Sequence, residues 1–216
     1  MYSSPRAFHE TLQPGVSLAG IGCGRGTLGA WVRNSQGNLR LLSAWHVLLG
    51  PYGVIGQAVL QPSPADGGAT PKYAVGVTTT FVRDRSGEAA LARPIGSRKK
   101  SNRVLGAGVI LKGARDPVEG DVLEKVGAGT GHTRAEVMSV GEVKTTYVPG
   151  GCRGLVLGPV GESAREISAP GDSGAVWYDP LTGFAVGLHL EGELTGKDRA
   201  IACCITDVLR ALKATL

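Results

Sequence analysis

Glycine and proline cut this chain into short runs, and that punctuation restricts the fold more than any other feature. There are 34 glycines and 12 prolines in 216 residues. The runs between them carry strand signatures. Val75–Val82 alternates apolar residues with threonines, Ala135–Val143 alternates, and Leu39–Ala44 and Phe184–Leu190 are mainly apolar. Alternation with a period of two puts one face of a strand on a core. Residues 15–20, 26–32, 58–60, 88–92, 122–127, 155–157, 175–178 and 200–205 read as further strands. Turn residues separate them at Asn34–Asn38, Arg83–Gly87 and Asp179–Gly183. Thr206–Lys213 fits a short amphipathic helix with Thr206 as its N-cap. The pattern predicts an all-β chain that ends in one helix, long enough to bury a real core.

Charge and cysteine usage set aside several functions. The net charge is +5, and charged residues make up only 19 % of the chain, below the ordinary share of about 25 %. The densest basic run, Arg98-Lys99-Lys100 with Arg103, has no aromatic residues interleaved. It reads as a solvated loop, and no nucleic-acid partner is expected. Cys23, Cys152, Cys203 and Cys204 show no CxxC spacing, and adjacent cysteines do not easily bridge each other. Free thiols are expected, with no metal and no cofactor. Residues 1–15 carry Arg6, His9, Glu10 and two prolines and lack an apolar segment. They do not read as a secretory signal, and no run is long enough to span a membrane. A cytoplasmic location is the expectation.

Chemistry concentrates in Pro170-Gly171-Asp172-Ser173-Gly174-Ala175. A serine between glycines suits a nucleophile on a sharp turn. Such a turn aims the N–H groups of Gly171 and Ser173 into one hollow, where the oxyanion of an attacked carbonyl would lie. The motif alone is also an ordinary turn in a glycine-rich chain. His46, just past an apolar strand, has two readings as well: a satisfied structural histidine, or a base able to take a hydroxyl proton. Glu88, at the head of Ala89-Ala90-Leu91-Ala92, is either an exposed strand-end charge or an acid poised to meet a histidine.

Taken in order, a histidine, an acid and Gly-Asp-Ser-Gly resemble the trypsin-like, chymotrypsin-fold serine proteases. Leu41–Leu48, Lys125–Gly131 and Gly187–Gly192 are similar to that family's histidine strand, second-barrel strand and substrate-pairing strand. Pro14–Ser17, Gly26–Ala30 and Leu60–Gly68 are similar to bacterial members without secretion signals. The resemblance implies two six-stranded antiparallel β-barrels: a lead-in over 1–15, a first barrel over 16–105, a second over 106–205, and the helix over 206–216. It implies Ser173 as nucleophile, His46 as general base, Gly171 and Ser173 as the oxyanion hole, and Asp172 as a buried carboxylate fixing the loop. No Ile-Val-Gly-Gly start is present to pair with Asp172, and an arginine partner is left unnamed.

The family has aspartate where this chain has Glu88. Asp84 is the alternative orienter, and register with Ala90 and Leu91 favours Glu88. The side-chain pocket would draw on Ile167, Leu190, Gly192 and Ala200, with Glu191 and Glu193 at its rim. An isoleucine at the base disfavours a buried cation, which points to a small or apolar residue before the cut bond. A serine endopeptidase acting on protein or peptide substrates is expected, restrained by narrow specificity, a regulatory protein partner or an inactive resting form. The rival is a weak or inactive homologue acting as a protein-binding module, suggested by Glu88 and by Trp45 beside the histidine.

Overall fold

The alternating runs form two curled sheets in a computed structural model that describes residues 4–161, 166–192 and 199–216. The first half holds β1 (Thr11–Leu12), β2 (Ser17–Gly20), β3 (Gly26–Thr27), β4 (Ala30–Asn34), β5 (Leu39–Ser43), a single helical turn α1 (Trp45–Leu48), β6 (Ala58–Leu60), β7 (Ala74–Asp84), β8 (Gly87–Pro94) and β9 (Lys99–Lys100). The second half holds β10 (Gly113–Ala114), β11 (Val122–Gly127), β12 (Gly131–Val143), β13 (Cys152–Pro159), β14 (Val176–Tyr178), β15 (Phe184–Gly192) and β16 (Ala200–Cys204). The chain ends with α2 (Ile205–Ala211) and β17 (Ala214–Thr215).

In the second half the order β15-β14-β11-β12-β13-β16 closes, because β16 also pairs with β15. The result is a six-stranded antiparallel barrel with no free edge along that seam. In the first half the strands follow the order β17-β4-β5-β8-β7-β6-β2-β3, a second, curled sheet of eight strands rather than the six expected. The fold is all-β, a double barrel with a short C-terminal helix.

Burial follows from the alternation. Leu123, Val137, Leu157, Trp177 and Val186 fill the second barrel. A larger apolar cluster runs from Leu28, Leu42 and Leu91 in the first half to Leu188 and Leu190 on β15. Close-packed side chains transmit position with little play. That continuous cluster therefore fixes the two halves against each other.

Several local expectations shift. The C-terminal helix begins at Ile205 with Cys204 at the N-cap, so Thr206 lies inside it; the Thr206 hydroxyl donates to Asp116 instead. Beyond that helix, β17 pairs antiparallel with β4, and the chain end straps the first sheet. The basic run is not simply a solvated loop. Lys99 and Lys100 pair with β1, and the Arg98 guanidinium turns inward to the His9 carbonyl and to Gln61. Arg98 also lies over the Phe8 ring. A guanidinium serves this role well, since its fork reaches several carbonyls at once.

Candidate active site

The register of β5 against β8 explains how an acid reaches a histidine. Ser43 pairs with Ala90, and the antiparallel pairing stops there. Continued two residues, that register brings Glu88 beside the start of α1. The turn places His46 with its Nδ1 2.6 Å from Glu88 Oε1, while the His46 backbone N–H donates to Oε2 at 2.9 Å. Glu88 is wholly buried. An ionised carboxylate only accepts, so His46 carries its hydrogen on Nδ1 and leaves the Nε2 lone pair free. Asp84 lies away from this contact, at the tip of the β7–β8 turn, where it accepts the Ser86 N–H at 2.8 Å.

The serine loop docks on the same strand ends. Thr27 N–H donates to the Ser173 carbonyl at 2.9 Å, and the Thr27 hydroxyl donates to the Gly171 carbonyl at 2.8 Å. Gly174 has φ +88°, and a Cβ there would lie 2.1 Å from Ser43 Oγ. Glycine at 174 is therefore demanded twice, by backbone angle and by space. Among the described residues, no acceptor receives the N–H of Gly171 or of Ser173. The Ser173 hydroxyl donates to the Leu190 carbonyl at 2.8 Å, not to the imidazole.

Asp172 holds the loop from behind. Its Oδ1 accepts the N–H groups of Gly129 and Thr130, and its Oδ2 accepts the Ala169 N–H, the Thr130 hydroxyl and Lys125 Nζ at 2.9 Å. Both Lys125 and Asp172 are completely buried. Burial pushes the Asp172 pKa up, but the Lys125 charge and these hydrogen bonds outweigh it, and the net shift is downward. The cationic partner left unnamed above is thus a lysine. One signal for it was available in the sequence: Lys125 shares a strand face with the buried Leu123, two residues away.

Two further features escaped the sequence. Tyr147, in the β12–β13 connection, lies flat on the His46 ring. Its carbonyl accepts Arg83 Nε at 2.7 Å, and the neighbouring Thr146 N–H donates to Glu191 Oε1 at 3.0 Å. The Arg83 guanidinium also covers Trp45, which gives that tryptophan a packing role. The second feature is a buried polar chain: Trp177 Nε1 lies 3.3 Å from His189 Nδ1, and His189 Nε2 lies 2.9 Å from Ser168 Oγ.

Two of the expected pocket residues, Gly192 and Ala200, are register partners across β15 and β16. Ile167 packs into the second-barrel core. The Ala200 side chain is buried, and its backbone pairs with Gly192 and Leu157. The Leu190 side chain is buried, and its carbonyl receives Ser173. Gly192 faces Ser168, whose Oγ would lie 3.1 Å from a Cβ built there. Glu193 lies outside the described residues.

Fold and site geometry together define a class: the chain has the double-barrel architecture of the chymotrypsin-fold serine proteases, and carries a histidine–carboxylate pair and a glycine-flanked serine loop. Three solved structures share that architecture over nearly the whole chain. Thermobifida fusca Protease A aligns with TM-score 0.66 and 18 % identity over 95 % of this chain and 98 % of its own. Cellulomonas bogoriensis chymotrypsin aligns with TM-score 0.68 and 16 % identity over 95 % and 98 %. A glutamic acid-specific serine protease, described as using a histidine triad in substrate binding, aligns with TM-score 0.68 and 20 % identity over 94 % and 99 %. No family model matches the sequence, and no curated protein does.

Proposed function

We propose that this protein is a serine endopeptidase that cleaves peptide bonds through Ser173, His46 and Glu88. The observation that carries the reading is the buried Glu88 carboxylate, 2.6 Å from His46 Nδ1, with the Ser173 loop packed through Gly174 against Ser43 and Ala44, just before that histidine. A buried carboxylate that fixes one imidazole tautomer is what a general base requires.

In the reaction the Ser173 hydroxyl turns from the Leu190 carbonyl to His46 Nε2. Its oxygen bonds to the peptide carbonyl carbon as its proton passes to Nε2. Glu88 then stabilises the imidazolium. The carbonyl oxygen, now negative, accepts the N–H groups of Gly171 and Ser173, which have no other acceptor among the described residues. His46 returns the proton to the departing amine as the C–N bond breaks. Water repeats the sequence on the acyl-enzyme, with His46 as base, and releases the acid.

Four free thiols suit a reducing compartment, and no described helix is long and apolar enough to cross a membrane. A second reading, the inactive binding module, is favoured by two observations: Ser173 bonded to Leu190 and Tyr147 lying over His46. An active-site fluorophosphonate separates the two. The protease reading expects covalent labelling of the wild type at neutral pH and none of Ser173→Ala. An unlabelled wild type gives the binding module precedence.

A further inference from the structure

The turn Ala128-Gly129-Thr130, between β11 and β12, is gripped from both sides. On one side Asp172 Oδ1 accepts the N–H groups of Gly129 at 2.9 Å and of Thr130 at 3.1 Å. On the other side the Arg6 guanidinium donates from Nε to the Ala128 carbonyl at 2.8 Å and from Nη2 to the Gly129 carbonyl at 3.3 Å. These contacts fall on the same two peptide units. The Ala128 carbonyl and the Gly129 N–H share one, and the Gly129 carbonyl and the Thr130 N–H share the next. Both units are trans, so each oxygen points away from its own hydrogen. A cation therefore sits at the oxygen ends and a buried carboxylate at the hydrogen ends.

Hydrogen bonds in such a series reinforce one another. A bond accepted at a peptide oxygen polarises the unit and strengthens the bond its N–H donates. A guanidinium does this more than a neutral donor, because its bonds are charge-assisted. Its fork also lets one side chain hold two successive carbonyls. Arg6 thus acts on Asp172 without touching it, and Asp172 stands between Gly171 and Ser173. The Ala128 N–H makes a second link: it donates to Thr27 Oγ1 at 2.9 Å, and that hydroxyl donates to the Gly171 carbonyl. Residues 128–130 therefore hold the serine loop at two points. The lead-in that carries Arg6 is pinned to the first half. The Pro5 carbonyl accepts the Ser17 N–H, the Ala7 carbonyl accepts Gln61 Nε2, and the His9 carbonyl accepts Arg98 Nε. Arg6 itself is exposed and reaches across to the second half.

We propose that Arg6 is a positioning residue for the oxyanion hole, and that the N-terminal lead-in controls the site through it. With Arg6 seated on the Ala128 and Gly129 carbonyls, the Asp172 anchor is tight and the N–H groups of Gly171 and Ser173 hold their aim. With the lead-in displaced, the loop loosens. This inference rests on the protease reading and names a control on the same site. It is separate from the Lys125 pair, which meets Asp172 at Oδ2, whereas the Arg6 relay ends on Oδ1.

The test uses the full chain and a fluorophosphonate, whose phosphonyl oxygen needs the same N–H groups. Losing a direct oxyanion donor costs about 10²–10³ in rate, and Arg6 acts one step removed, so Arg6→Ala should lower the maximal labelling rate about tenfold. The half-saturating probe concentration should stay within about twofold, since aim and not binding is lost. Arg6→Lys keeps a cation with one point of attachment and should fall only about threefold. Two proton resonances separate positioning from general loosening. The Gly129 and Thr130 amide protons of Arg6→Ala should move upfield as their bonds to Asp172 weaken. The downfield proton on His46 Nδ1 should stay in place, because Glu88 holds it independently. Wild-type labelling in Arg6→Ala, or unmoved Gly129 and Thr130 amides, overturns the inference. So does an equal loss in both variants together with loss of the His46 resonance, the mark of unfolding and not of aim. Labelling keeps the two readings apart: a labelled wild type beside a fully active Arg6→Ala sinks the control alone, and an unlabelled wild type sinks the protease reading and the control with it.

Discussion

Tyr147 lies parallel to the His46 imidazole, with ring centroids 3.7 Å apart and planes 7° from each other. The segment that carries it is tied to both halves: to Arg83 on β7 through the Tyr147 carbonyl, and to Glu191 on β15 through the Thr146 N–H. Glu88 already fixes the imidazole at Nδ1. The consequence of the stack is therefore cover over one face of the base rather than orientation. Tyr147→Ala should raise the second-order rate of fluorophosphonate labelling about threefold or more, read by quenched time courses. A slower rate would mean that the stack holds the imidazole in place.

Glu88 offers a sharper test, because the isosteric change alters one property at a time. In Glu88→Gln the amide accepts through its oxygen or donates through its nitrogen, and the preference for hydrogen on His46 Nδ1 is lost. The comparable loss in aspartate-containing triads is about 10⁴-fold, so a fall of at least about 10³ in acylation rate is expected. Asp84→Asn should change the rate less than twofold, since among the described residues Asp84 accepts the Ser86 N–H in its own turn and does not reach His46. Single-turnover acylation of both variants checks the pair. Similar small losses in both would remove Glu88 from the reaction.

How much of this was legible depended on whether each feature was local. Strand alternation is local, and β11 was expected over the residues it occupies, Val122–Gly127. The serine loop and the strand carrying His46 could be read because glycine spacing and apolar runs are written along the chain. The Ser43–Ala90 register that brings Glu88 to His46 could only be inferred through a family likeness. Tyr147 lies in the β12–β13 connection, and nothing in Thr145-Thr146-Tyr147 announces that its ring will settle on an imidazole a hundred residues earlier. Arg98 misled for a different reason. A run of basic residues says solvent, but a guanidinium with carbonyls on offer at His9 and Gln61 finds better company inside.

The Lys125–Asp172 pair should behave as a buried pair whose halves cannot be removed singly. Lys125→Met leaves the Asp172 carboxylate buried with hydrogen bonds but no countercharge, a change that costs about 3–5 kcal/mol. In a chain of this size that corresponds to a drop of roughly 10 °C in Tm. Labelling of Ser173 should fall with it, because Asp172 anchors the loop through Gly129, Thr130 and Ala169. Adding Asp172→Asn to Lys125→Met removes the stranded charge and should restore more than half of the lost stability. Calorimetry on the single and double variants measures the coupling. Additive losses would show that the two charges act independently.

His189 makes the last prediction, and its sign is fixed by its surroundings. The folded ring has a pKa near 3, depressed first by complete burial and then by Lys125. Unfolded, the ring titrates near its ordinary 6.5. Above pH 6.5 neither state binds the proton, and His189 adds no slope. Between about 6.5 and 3 the unfolded chain takes up a proton that the folded chain refuses, so stability falls as the pH drops. The slope approaches about 1.4 kcal/mol per pH unit for this one group. Urea midpoints from pH 8 to pH 4 should decline from about pH 6.5 downward. His189→Gln keeps polar groups for Trp177 and Ser168 while removing the titration, and should flatten that part of the profile even if it lowers the plateau. A variant profile parallel to the wild type would place the acid sensitivity elsewhere.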